Sequence, residues 1–198
     1  MQTGHEQLKK LHIVGIGGTT RSGSSTERVL RAAMNILSES GARTEVFAGP
    51  DLCFPPYAGP GEREERAQRF VNTLRSCDGV VIATPSYHGS ISGLVKNAID
   101  YTEDMRTDKR VYFDGLPVGT ICCAGGWQAA SHTLGTMRAI AHSLRGWPTP
   151  MGVLVNTSQP IFSADGDLVD STIKTQLKVM TDQIIMFAQR SQLSQIVS

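Results

Sequence analysis

Along the whole chain, short apolar runs alternate with longer segments whose apolar residues recur at a helical period, and few folds accept that alternation. A short apolar run between turn residues suits a strand buried on both faces. A helix that returns the chain to begin the next such strand in the same direction makes the sheet parallel. Five runs qualify: Ile13-Val14-Gly15-Ile16, Thr44-Glu45-Val46-Phe47, Gly79-Val80-Val81-Ile82-Ala83, Val118-Gly119-Thr120-Ile121-Cys122 and Gly152-Val153-Leu154-Val155. Between and after them lie helical stripes: Val29, Leu30, Ala33 and Leu37, ending near Gly41; Ala130, Leu134, Met137, Ala141 and Leu144; and Ile173, Leu177, Met180, Ile184 and Phe187. A weaker stripe, Phe70, Val71 and Leu74, follows the charge run Glu62-Arg63-Glu64-Glu65-Arg66, which reads as a solvated face.

Five strands, each followed by a helix, favour the doubly wound, flavodoxin-like order 2-1-3-4-5 with helices on both faces. In such a sheet the ligand crevice lies beyond the carboxyl ends of strands one and three, where the direction of winding reverses. The 198 residues form one domain, long enough to bury a core without disulfide or metal. Residues 1–10 and 191–198 are expected as flexible tails, and Phe54-Pro55-Pro56-Tyr57-Ala58-Gly59-Pro60-Gly61 as a rigid loop. A formal charge of +1 offers no basic footprint for nucleic acid and no polybasic anchor for lipid. No apolar run reaches membrane-spanning length and the N-terminus lacks a signal-peptide layout, so the expected location is cytoplasmic. Cys53, Cys77, Cys122 and Cys123 contain no CxxC pair and read as reduced, structural thiols, the last two on opposite faces of a strand.

The loop after the first strand carries the clearest chemistry. Thr19-Thr20-Arg21-Ser22-Gly23-Ser24-Ser25-Thr26 places six hydroxyls and one guanidinium in eight positions between a buried strand and the start of a helix. Open backbone N–H groups and the positive end of the helix dipole favour an anion there. The segment lacks the lysine of a Walker loop and the third glycine of the dinucleotide fingerprint, where Thr20 stands. Residues 17–26 also lack a carboxylate or thiol nucleophile, which disfavours a phosphate-ester hydrolase. A cradle of this kind suits a terminal phosphate monoester that is held and not hydrolysed, as in FMN. The plain structural alternative is a helix start capped by Ser25 or Thr26.

The loop after the third strand, Thr84-Pro85-Ser86-Tyr87-His88-Gly89-Ser90-Ile91-Ser92-Gly93, forms the other wall of the expected crevice. It offers the face of Tyr87, an imidazole, and glycines that admit close backbone approach, a combination suited to a flat ring with a polar edge. The next segment, Leu94 to Tyr101, reads as a helix on which Lys96, Asn97 and Asp100 cap or pair.

Two stretches together resemble the NADPH-dependent FMN reductase family, over about residues 11–155. Gly18-Thr19-Thr20-Arg21-Ser22-Gly23-Ser24-Ser25-Thr26 is similar to its Gly-Ser-x-Arg-x-x-Ser-x-Asn phosphate loop, and Asp78 through Asp100 resembles its second signature. The chain has Thr26 and His88 where the family often has Asn. The resemblance implies a flavodoxin-like fold in which Thr19, Arg21, Ser24, Ser25 and Thr26 bind the FMN phosphate. It also implies that Pro85, Ser86, Tyr87, His88 and Gly89 line the isoalloxazine. Cys123-Ala124-Gly125-Gly126-Trp127-Gln128 resembles the third loop, so Gly125 and Gly126 would bring backbone N–H groups to the pyrimidine side, where reduction gathers negative charge. Trp127 is a pocket wall or a packing residue.

The implied activity is hydride transfer from NADPH or NADH to FMN, then two-electron reduction of a small-molecule acceptor: free flavin, a quinone, an azo compound or a metal oxyanion. No catalytic side chain and no metal are expected, because such chemistry asks the protein mainly to bind and orient. Arg106, Lys109 and Arg110 are candidate contacts for the nicotinamide nucleotide. Family members often assemble as homodimers or homotetramers, and Phe54, Pro55, Pro56 and Tyr57 would suit such an interface. The alternative, a non-enzymatic FMN-binding electron carrier, fits a strongly acidic surface better than this near-neutral composition.

Overall fold

Strand pairing follows the apolar runs closely. In a computed structural model, which describes residues 9–197 with side chains through 194, β1 (His12–Gly17), β2 (Arg43–Ala48), β3 (Gly79–Tyr87) and β5 (Pro117–Ala124) lie parallel in the order β2-β1-β3-β5. Two short strands, β6 (Trp147–Pro148) and β7 (Val153–Asn156), both pair with β5 in parallel. They form the expected fifth strand in two pieces. Prolines at 148 and 150 supply no N–H to the ladder, which explains the break. The sheet therefore has seven strands, the remaining one being β4 (Ser90–Ile91), which pairs antiparallel with the end of β3. With β6 and β7 counted as one, the parallel order is 2-1-3-4-5.

Alternate residues of the central strands feed two cores, as a period of two requires. Val14, Ile16, Val80, Ile82 and Cys122 face α2 (Glu65–Arg75), α3 (Gly93–Asp100) and α4 (Trp127–Ser143). Ile13, Val81, Ile121 and Cys123 face α1 (Ser25–Glu39) and α5 (Ser171–Val197). Adjacent Cys122 and Cys123 thus enter opposite cores, and burial pushes their thiols up to about 11 and about 12. All four cysteines are free.

Four expectations change. The C-terminal segment is no frayed tail: residues 191–197 continue α5, because nothing after Ser171 is a glycine or proline that would stop the helix. Residues 1–8 and Ser198 of the expected tails lie outside the described residues. On α5 the buried position expected of Phe187 belongs to Ala188, while Phe187 stacks on Trp147 with ring centroids 5.8 Å apart. The charge run does not lie wholly in solvent: the Arg63 side chain is 11% exposed and forks onto Asp104 with two 2.7 Å bonds. Finally, Phe54 and Tyr57 are not an exposed interface. Phe54 packs against Phe70 and Tyr101, and Tyr57 donates its hydroxyl to Asp104. Asn97 fixes this strap by donating to the carbonyls of Phe54 and Pro55 and accepting from Tyr57 N–H. Lys96 and Asp100 pair along α3, as expected.

Two stability predictions follow from the buried charges. Asp104→Ala leaves the part-buried Arg63 with the Gly59 carbonyl but without its carboxylate and should cost ~1.5–3 kcal/mol in denaturant unfolding, more than the loss of an exposed pair. At the opening of β1, His12 is buried and accepts a hydrogen bond from Arg43 at Nδ1 (2.7 Å), which leaves the proton on Nε2, an atom without a hydrogen-bond partner and 3.9 Å from the Glu45 carboxylate. Burial, and next the Arg43 charge, lower its pKa below 6.5, a shift that the Glu45 carboxylate partly opposes. As pH falls through 6.5 the unfolded chain takes up a proton that the native state refuses, so stability declines until the pH passes the lowered native value. Melting curves from about pH 8 to about pH 5 should show this decline, and His12→Leu should flatten it.

Candidate functional site

At the carboxyl edge of the sheet, three loops converge from β1, β3 and β5. The seam between β1 and β3 is unusually close: a Cβ on Gly17 would stand 2.2 Å from the Ala83 carbonyl oxygen, and Gly18 N–H donates to that same oxygen at 3.3 Å. Only glycine fits at residue 17, and the two loops consequently leave the sheet side by side.

The first loop turns on Thr19, whose Oγ1 accepts from Arg21 N–H at 3.2 Å. Ser24 is the N-cap of α1, its hydroxyl accepting from Glu27 N–H at 3.3 Å; the cap expected at Ser25 or Thr26 lies one residue earlier. Among the described residues the N–H groups of Ser25 and Thr26 have no protein acceptor, as the first turn of a helix dictates. Arg21 is exposed and makes no ion pair among the described residues, whereas Thr26 is buried near the Cys123 thiol. Arg21 and Ser25 therefore present free chemistry to the crevice; Thr19, which also donates its hydroxyl to the Arg21 carbonyl at 3.1 Å, and the cap Ser24 are engaged in holding the loop. The set of open N–H groups, the Ser25 hydroxyl and one unpaired guanidinium, with no carboxylate or thiol among residues 17–26, fits a phosphate monoester.

The second wall is a hairpin, not an irregular loop. β3 continues through Tyr87, and Tyr87 pairs with Ser90 across a two-residue turn in which His88 (φ 52°) and Gly89 (φ 77°) both take positive φ. That is the requirement of a type I′ turn. Thr84 Oγ1 accepts from Ser92 N–H, and Ser92 Oγ caps α3, so the hairpin closes at its base. Pro85 is buried in the sheet beside Cys123, while Ser86 turns to α4, with its hydroxyl 2.7 Å from Thr133 Oγ1 and 3.2 Å from the Ala129 carbonyl. Tyr87, 54% exposed, and His88 and Gly89 at the tip are the members left to face a ligand.

Gly125 and Gly126 follow β5, and Ser158, which sequence patterning missed, donates to the Gly125 carbonyl at 2.7 Å. Trp127 opens α4, 57% exposed, and lines a cavity of about 150 Å³ with Leu154, Ile161 and Ile173. That cavity lies between β7 and the start of α5, and no residue of the loops after β1 and β3 lines it. The basic residues suggested for a nicotinamide nucleotide do not reach this edge. Arg110 donates to the Leu74 and Arg75 carbonyls at the end of α2, Arg106 pairs with Glu103, and Lys109 lies between Arg110 and Asp108, itself paired with Arg75. α3 and the turn after it carry this segment back to the opposite end of the sheet. Other residues that sequence reasoning passed over are Glu27, Thr133 and His132; the last sits 3.4 Å from where a Cβ on Gly89 would stand.

The hairpin assignment has a direct consequence. Gly89→Val forces a β-branched residue into the left-handed region at ~1–3 kcal/mol and should lower flavin affinity with near-native circular dichroism. His88→Asn installs the favoured Asn-Gly pair and should raise the melting temperature by a few degrees with the hairpin intact. A lower melting temperature for His88→Asn would contradict the turn geometry.

Comparison with known proteins agrees with this geometry. Residues 11–159 match the NADPH-dependent FMN reductase family. The chain is 35% identical over 195 residues, covering 93% of this chain and 97% of the relative, to the FMN-dependent NADPH-azoreductase of Staphylococcus aureus. Its fold is similar to that of FerB, a flavoenzyme NAD(P)H:(acceptor) oxidoreductase from Paracoccus denitrificans (TM-score 0.74, 19% identity, 91% of this chain and 98% of that one). It is also similar to a flavodoxin, WrbA-like protein from Agrobacterium tumefaciens (TM-score 0.61, 14% identity, 91% and 99%). With its doubly wound sheet, its phosphate-type loop after β1 and a match over most of its length, the chain belongs to the NADPH-dependent FMN reductase family of flavodoxin-like oxidoreductases, which work with FMN and NADPH.

Proposed function

We propose that this crevice binds FMN with its phosphate in the loop after β1 and its ring between the β3–β4 hairpin and Gly125-Gly126, and that the enzyme uses NADPH to reduce a small aromatic acceptor of the azo class. The observation that carries the reading is the donor set of the first loop: open N–H groups on Ser25 and Thr26, the hydroxyl of Ser25, and an unpaired Arg21, on a turn that the Thr19 hydroxyl holds. The choice of an azo acceptor rests on the 35% identical relative.

When bound, FMN supplies the two-electron chemistry that links NADPH oxidation to reduction of the acceptor. The chain's own residues bind and orient. Arg21 and the α1 N-terminus supply positive potential to the phosphate end. Backbone N–H groups around Gly125 and Gly126, steadied by Ser158, offer fixed donors where negative charge gathers on the ring. Tyr87 and Trp127, both more than half exposed, give flat apolar walls suited to an aromatic acceptor. No side chain is required to move a proton, and neither thiol of β5 is poised for redox work, since burial holds Cys122 and Cys123 protonated.

The same reading includes a homodimer or homotetramer, with contacts elsewhere than the buried Phe54 and the part-buried Tyr57. A cytoplasmic location also belongs to it; no helix among the described residues is long and apolar enough to cross a membrane.

Arg21→Ala should weaken FMN ~10- to 150-fold through loss of a charge-assisted contact, while riboflavin, which lacks the phosphate, binds as it does to the native chain. Fluorescence titration with both flavins reads this directly. Steady NADPH oxidation with FMN and an azo dye tests the activity, and equal loss of both flavins would move the phosphate away from Arg21.

A further inference from the structure

Beneath the first loop lies a charged group that the proposed mechanism does not use. Glu27 is the third residue of α1, and its side chain is 9% exposed. Its Oε2 accepts from Gly23 N–H at 2.9 Å and lies 3.7 Å from where a Cβ on Gly49 would stand, so the carboxylate sits between the first loop and the turn after β2. Its Oε1 accepts from both arms of Arg31, at 2.9 and 2.8 Å. A Ser-x-x-Glu helix start ordinarily closes a capping box in which the glutamate takes the N–H of the cap residue. Here the cap is Ser24, but Glu27 takes the N–H of Gly23, one residue earlier.

This arrangement has two effects. It turns the Gly23 N–H inward, away from the crevice, and so fixes the path of the loop between Arg21 and the cap. It also places a negative charge under a site built for an anion, where like charge opposes binding unless it is cancelled. The cation that does so is Arg31, half exposed and bonded to Glu27 alone among the described residues. Arg28, also on α1, is committed elsewhere: it donates to the Gly166 carbonyl and lies over the Phe162 ring, 3.6 Å from its centroid.

We infer that Glu27 and Arg31 are a positioning pair for the phosphate loop, Glu27 holding the loop through Gly23 and Arg31 setting the affinity for a phosphate-bearing flavin by neutralising Glu27. Arg31 acts without touching the ligand. The inference rests on the placement of the FMN phosphate in this loop.

The test is a double-mutant cycle of Glu27→Gln and Arg31→Gln, titrated with FMN and with riboflavin at low ionic strength. Glutamine keeps an oxygen for Gly23 N–H and removes the charge. Because Arg31 is half exposed, the expected loss is moderate: Arg31→Gln weakens FMN ~3- to 10-fold and riboflavin less than ~2-fold. Glu27→Gln alone changes FMN less than ~3-fold, and added to Arg31→Gln it restores native affinity. Additive effects, an unchanged FMN affinity in Arg31→Gln, or equal weakening of both flavins would each overturn the pair's role. Failure of the underlying placement looks different: the native chain would then bind riboflavin as tightly as FMN.

Discussion

The approach of β1 to β3 at their carboxyl ends sets the geometry of everything above the sheet. The Ala83 carbonyl lies where a side chain on residue 17 would have to go, and it accepts the N–H of Gly18. The strands can run this close only because residue 17 carries no side chain. The phosphate-type loop and the hairpin therefore leave the sheet from one seam, at the point where winding reverses and a crevice must open. A larger residue at 17 would spread the strands, and both walls would move with them.

Above that seam, each wall is tied to an element that covers a face of the sheet. Glu27 and Ser24 tie the first loop to α1, Thr133 and Ala129 tie the hairpin to α4, and Ser158 ties Gly125 to the segment after β7. These are single hydrogen bonds of modest net stability, about 1 kcal/mol each. Their importance is positional, since a site that works by orienting its ligands depends on walls that do not drift. The hydroxyls and carboxylates that perform this tethering are the ones least available to a ligand.

The parallel sheet was legible because its strands are buried on both faces, so each appears as an apolar run whatever surrounds it. The hairpin was not, because Thr84, Ser86 and Tyr87 continue β3 with polar side chains whose partners, Ser92 and Thr133, lie on α3's cap and on α4. The same reason hid the burial of Phe54 and the partial burial of Tyr57 and Arg63. Proline spacing and a charge run look exposed until Asn97, Tyr101 and Asp104 are brought against them from more than thirty residues away. Arg110 looked like a free cation for a nucleotide, yet the return of α3 delivers it to the opposite edge, against the end of α2.

From sequence alone came the strand order and the residue chemistry of the loop that leaves β1, because these depend on burial period and on local residue type. Which hydroxyls stay open to a ligand was decided only by the fold. Ser24 is consumed as a cap, Thr19 is tied to the Arg21 backbone, Thr26 is buried and Ser86 turns to Thr133, while Arg21, Ser25 and Tyr87 remain at the crevice. A hydroxyl's role follows from the nearest acceptor or donor in space, and in a doubly wound sheet that neighbour can come from a strand or helix far along the chain.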